Sequence, residues 1–127
     1  MSKDILTLAK HYHAALNNFD FVAIEKMFAE DAEYHSTGIG AGVGGLYGRT
    51  AIMEAMKAYF TEFSDQVSND DSIEVITSNA VRAHWHLHAT TKSSGRKVHR
   101  QGVETIYFNP KGLITTVEVQ DVEPCKE

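Results

Sequence analysis

The feature that most limits what this chain can fold into is a long alternation near its middle. From Ala80 to Thr91, Val81, Ala83, Trp85, Leu87 and Ala89 take one set of alternate positions. Arg82, His84, His86 and His88 take the other. A period of two is that of a strand with one buried face, and it cannot be satisfied by a helix. A turn at Ser93-Ser94-Gly95 leads to a second alternating stretch, Lys97 to Phe108. Asn109-Pro110-Lys111-Gly112 then leads to a third, Leu113 to Val122. Proline pre-sets φ in that turn and glycine supplies a positive φ. A shorter run, Ile73 to Thr77, precedes them across the turn Ser78-Asn79. Strands joined by tight turns predict an antiparallel meander.

The first half carries helical spacing instead. Ser2 is placed to cap a helix whose stripe is Ile5, Leu8, Ala9, Tyr12, Ala15, Leu16 and Phe19. Asn17 and Asn18 end it. Asp20 caps a short helix bearing Phe21, Ile24, Met27 and Phe28. Ala32 to Thr37 reads as a strand. Six glycines between Gly38 and Gly48 predict a mobile loop, a rim over a pocket. Thr50 caps a third helix with Ile52, Met53, Met56, Tyr59, Phe60 and Phe63 on its buried side. Ser64 to Ser72 reads as a polar connection. Helices first and strands after predict an α+β fold: three N-terminal helices packed on a curved antiparallel sheet, a cone around one apolar pocket, over residues 1–127 as a single domain.

Composition excludes several functions. The 127 residues carry a formal net charge of −5 with no long basic block, so nucleic acid is not an expected partner. No stretch approaches the length of a membrane span, and Met1 to Lys10 has no apolar run resembling a secretory signal. The single cysteine, Cys125, cannot form a disulfide within the chain, and a cytoplasmic location is expected. The glycine-rich loop lacks the Gly-Lys-Ser/Thr ending of a phosphate loop, and no cofactor is expected.

The alternation also assigns faces to charged groups. Val98, Arg100, Gly102, Glu104, Ile106 and Phe108 share one face, and the last two make it the inner one. Glu104 is thereby turned inward, where burial favours a protonated carboxyl. In the last strand Leu113, Thr115, Val117, Val119 and Asp121 share a face, which brings Asp121 toward the same cavity. His84, His86 and His88 fall on the outer face, toward water or a second subunit. Imidazoles two apart on one strand diverge, so no metal site is expected from them unless His35 or His99 joins.

Several stretches carry a resemblance: Tyr12 to Asn17, Asp20 together with Met27 to Ala32, Gly48 to Ile52, and Phe108 to Ile114. With the element order, they resemble the nuclear transport factor 2-like superfamily, and within it the SnoaL-like and ketosteroid-isomerase-like group, over about residues 5 to 122. The resemblance implies the cystatin-like α+β roll and a homodimer. It also implies that Tyr12 and Glu104 stand where ketosteroid isomerases hold an oxyanion between a tyrosine and a protonated acid. Ser36 occupies the position of that group's aspartate base, with His35 beside it, and a serine does not abstract a proton unaided. SnoaL-like cyclases place acid–base work on inward strand residues, a role open to Asp121 or Glu104.

Two functions follow. In the first, a small apolar carbonyl compound enters between helices and sheet. Tyr12 and Glu104 donate to its developing oxyanion, and Asp121 or His35 moves a proton, within walls of Tyr34, Ser36, Phe60, Phe63, Trp85, Leu87 and Ile106. This would be an isomerase, cyclase or hydratase. In the second, the pocket holds a hydrophobic ligand without chemistry, or the domain serves to pair subunits through the outer face of the sheet.

Overall fold

The computed structural model describes residues 4–36 and 45–121. Helix α1 (Ile5–Asn17) begins at Asp4, whose carboxylate accepts from the backbone N–H groups of Leu6 and Thr7. That replaces the expected cap at Ser2, which lies outside the described residues. Helix α2 (Phe21–Met27) is capped by Asp20, as its sequence predicts. The chain passes directly from α2 into strand β1 (Phe28–Ser36), which starts four residues earlier than the alternation suggested. The predicted glycine-rich rim falls mostly on residues 37–44, outside those described. After it come strand β2 (Leu46–Tyr47) and helix α3 (Arg49–Glu62). Gly48 precedes α3 at φ 94°, so the helix opens at Arg49 without a side-chain cap and Thr50 lies inside it.

Strands β3 (Val67–Thr77), β4 (Ala80–Thr90), β5 (Lys97–Phe108) and β6 (Ile114–Asp121) complete a six-stranded sheet of order β2-β1-β6-β5-β4-β3. The meander β3 to β6 is antiparallel, as expected, but β1 lies parallel to β6, so the sheet is mixed. A parallel neighbour leaves no turn signature in the sequence, because the chain between the two strands is long.

Strand β3 begins at Val67, six residues before the predicted start. It is an edge strand, and most of its residues face water, so its first half carries no apolar alternation. The register slips at Asp71: Asp70 pairs with Trp85 while Ser72 pairs with His84. Another slip, at Thr115, turns Ile114 inward opposite Phe108, in place of the expected Leu113 and Thr115.

The helices cover one face of the curved sheet, α1 along β3 and β4 and α3 along β1 and β2. Tyr12, Ile24, Phe28, Ile52, Val81, Ile106, Ile114 and Val117 are the largest fully buried side chains, and they join both layers into one core. Each such burial stabilises the fold by about 1.5–3 kcal/mol. The face predicted for β4 is the one found, with Val81, Ala83, Trp85, Leu87 and Ala89 buried. No described helix is long and apolar enough to cross a membrane.

Candidate functional site

Where the helix layer diverges from the sheet, the core opens into a cavity of about 100 Å³. Its apolar walls include Leu16, Met56, Phe60, Trp85, Leu87 and Val119. A dry apolar space of about 150 Å³ accepts a benzene ring, so this smaller one encloses only part of a ring-sized group, and the rest of a ligand would extend through the mouth.

Three ionisable groups meet at one wall. His13 stands on α1 one residue beyond the fully buried Tyr12, which turns its ring toward the sheet. Its Nε2 lies 2.5 Å from Glu104 Oε1 on β5, and its Nδ1 lies 2.7 Å from Asp70 Oδ2 on β3. The side chains of His13, Glu104 and Asp70 are only 16%, 8% and 22% exposed. A neutral imidazole has one N–H, so only the imidazolium donates to both carboxylates. Burial alone would pull the His13 pKa down. The charge of Glu104, the hydrogen bonds to both acids and the charge of Asp70 outweigh it and hold the pKa at about 10.

The sequence predicted an inward Glu104, and the structure turns it inward. Its Oε1 accepts from His13 rather than donating to a ligand, so the arrangement differs from the protonated acid expected above. Tyr12 is close enough to Glu104 to feel its charge. Burial first, then Tyr34 and Glu104, push the phenol well above its ordinary pKa. Its hydroxyl is the one buried side-chain polar atom among the described residues with no hydrogen-bond partner. It is not one of the cavity's walls.

At a second wall Arg100 lies 5.6 Å over the Trp85 ring, and its Nη1 donates to the Tyr59 hydroxyl at 3.0 Å. That hydroxyl donates in turn to Gln66 Oε1. Gly102, between Arg100 and Glu104 on β5, pairs with Trp85.

Of the other predicted site residues, Tyr34, Ser36, Phe60, Trp85 and Leu87 line the cavity. Ile106 is buried in the core and Phe63 packs on Tyr59 at 4.7 Å, so neither is a wall. His35 points to the other face of β1, where it meets Glu33 at 3.0 Å and the edge of Tyr47, apart from Glu104. Asp121 pairs with Gly102 at the end of β6, and its side chain is outside the described residues. The sequence reading missed His13 and Asp70. His13 had a legible signal, an imidazole beside an apolar stripe with Leu16 and Asn17 at the following turn. Asp70 had none, because the β3 slip reverses the alternation read back from Ile73.

A helix-covered curved sheet that closes on one cavity, with an acid–imidazole group in its wall, defines a small α+β cone protein. Residues 9–117 match the SnoaL-like domain family model, and the chain belongs to that family. No curated protein matches it in sequence. Among solved structures it is similar to the epoxide hydrolase/cyclase-like enzyme SalBIII of pyran ring formation in the polyether salinomycin. That match has a TM-score of 0.78 and 19% identity, covering 91% of this chain and 88% of the other. It is also similar to RV0760c of Mycobacterium tuberculosis in complex with estradiol-17beta-hemisuccinate, with a TM-score of 0.79 and 15% identity over 92% and 93% of the two chains. A computationally designed 17-OHP binder shares the fold with a TM-score of 0.77 and 17% identity over 92% of each chain.

Proposed function

We propose that the cavity takes a small apolar compound bearing an oxygen function, and that Glu104 moves a proton on it in an isomerisation or ring closure. The observation that carries this reading is the imidazolium of His13 clamped between two carboxylates in the wall of an otherwise apolar cavity. Burying three ionisable groups costs free energy that well-packed apolar residues of similar volume would not. A group whose pKa is strongly shifted by burial and by specific charged partners in a cleft is a candidate for function. A proton held with a pKa of about 10 is a poor acid near neutrality, so His13 is better suited to orient Glu104 than to give up its own proton. Glu104, with one oxygen engaged by His13, has a second oxygen with which to act as base. The fold relatives include an epoxide hydrolase/cyclase-like enzyme, a steroid complex and a designed binder, and they support a small hydrophobic ligand as the partner. A homodimer in the cytoplasm belongs to the same proposal.

The test is deuterium exchange into small cyclic enones and ketones in D2O, beside their binding by calorimetry. Glu104→Gln is expected to lower exchange by about 10²–10⁴-fold while binding changes little, as removal of a general base does. One observation favours the second reading, a binding module: both ring nitrogens of His13 are already engaged by the chain itself. Ligands that bind the wild type with no exchange and no turnover would decide for that reading.

A further inference from the structure

The outer face of the sheet carries a histidine cluster that the cavity does not use. His84, His86 and His88 line β4 on this face, and strand geometry keeps them from converging on one point. The neighbour across the ladder changes this. His99 on β5 pairs in register with His88 on β4. Their rings lie 3.9 Å apart between centroids, at 50° to each other, and the two Nε2 atoms come to 3.2 Å. Both residues are exposed. His86, with its ring centroid 5.9 Å from that of His88, is engaged by Asp71, whose Oδ1 lies 2.7 Å from His86 Nδ1.

Two imidazole nitrogens each about 2.05 Å from one ion subtend about 103° at it when they are 3.2 Å apart, so the spacing already present is the one a shared ion needs. With centroids 3.9 Å apart the rings stand side by side, and a turn of these two exposed side chains is needed to aim both Nε2 lone pairs at one point. The two ligands come from different strands, so their approach is fixed by the β4–β5 register rather than by a flexible loop. We propose that His88 and His99 form a surface site for a divalent transition-metal ion of the zinc, nickel or copper kind, with water filling its remaining positions. Imidazole nitrogen suits these ions, whereas calcium and magnesium prefer oxygen. No group of three or more His, Cys, Asp or Glu side chains among the described residues is arranged to hold a metal, so the site is open and exchangeable rather than a structural cage. It lies on the opposite face of the sheet from the cavity and does not depend on the reading of Glu104.

The test is calorimetric titration of the whole chain with Zn²⁺, Ni²⁺ or Mg²⁺ alone near neutral pH, with His ring signals followed by NMR. One Zn²⁺ or Ni²⁺ per chain is expected, with the His88 and His99 ring signals perturbed first and no response to Mg²⁺. His88→Ala and His99→Ala should each weaken binding by about tenfold or more, since losing a ligand should cost at least as much as losing a group that orients one. His84→Ala should leave it unchanged. Each substitution is on an exposed position, and far-UV circular dichroism verifies that the variants fold. Equal affinity in the wild type and the His88→Ala/His99→Ala double variant would overturn the proposal, as would a first perturbation at His11 or His84.

Discussion

Raising pH should expose the energetic role of His13. Its folded pKa, about 10, stands above the 6.5 of an unperturbed imidazole, as in an unfolded chain. Above pH 6.5 the unfolded chain releases this proton while the folded chain keeps it. The contribution is therefore full below pH 6.5, declines by about 1.4 kcal/mol per pH unit, and is gone once pH passes about 10. The whole span amounts to the order of 5 kcal/mol, a large share of the net stability of a domain this size. Urea unfolding at half-unit steps from pH 6 to 10 reads the slope. Long-range nitrogen-15 correlation of the His13 ring reads the pKa directly. The Asp70→Asn/Glu104→Gln double variant should titrate at much lower pH and lose most of the slope. A His13 that titrates near 6.5 in the wild type, or a slope that survives in the double variant, would refute the clamped imidazolium.

Tyr12→Phe removes a buried hydroxyl that has no hydrogen-bond partner, and an unsatisfied buried group costs about 1–3 kcal/mol. The variant should be as stable as the wild type or up to about 1 kcal/mol more so in urea. A clear loss of stability would mean that the hydroxyl is bonded in solution. Asn17→Ala removes a side chain that donates to the Ser68 carbonyl at 2.8 Å and accepts from the Ser68 N–H at 3.0 Å. It should cost about 1–2 kcal/mol. It should also speed amide exchange in the first half of β3, and unchanged protection there would count against that link.

What was legible in the sequence was whatever repeats locally. The apolar face of β4 and the inward turn of Glu104 followed from alternation alone. The stripe of α1 followed from helical spacing, and the resemblance drawn from Tyr12 to Asn17 and Phe108 to Ile114 agrees with the family that residues 9–117 match. What was not legible depended on partners far along the chain. His13 meets Glu104 across 91 residues and Asp70 across 57. The parallel β1–β6 pair brings together the beginning and end of the fold. The slips at Asp71 and Thr115 defeated alternation in the same way. At Asp71 the inward set changes from even to odd numbers, so counting back from Ile73 places Asp70 on the wrong face. At Thr115 the same effect exchanged Leu113 for Ile114. His35 was placed near the cavity because it adjoins Ser36, but neighbours on a strand point to opposite faces.

The polar seam between α1 and β3 explains how a charged group came to be built into this core at all. Strand β3 offers α1 little apolar surface in its first half, so hydrophobic burial cannot fix the helix there. Two side chains do so instead, His13 to Asp70 and Asn17 to Ser68. Four residues of helix rise about 6 Å and two residues of strand about 6.6 Å, so contacts at i, i+4 on the helix meet contacts at j, j−2 on the strand almost without strain. The same match orients α1 about its axis. With His13 and Asn17 on the seam, Tyr12 turns into the core and Leu16 onto the cavity wall. Once His13 is drawn toward β3 by Asp70, its other nitrogen faces β5, where alternation has already placed Glu104. A hydrophobic seam could hold the helix as firmly, but it would leave Glu104 buried without a partner, which is far costlier than the pair. Asp70, which touches His13 and not Glu104, is therefore a positioning residue, and Asp70→Asn should lower the His13 pKa while leaving Glu104 in its place.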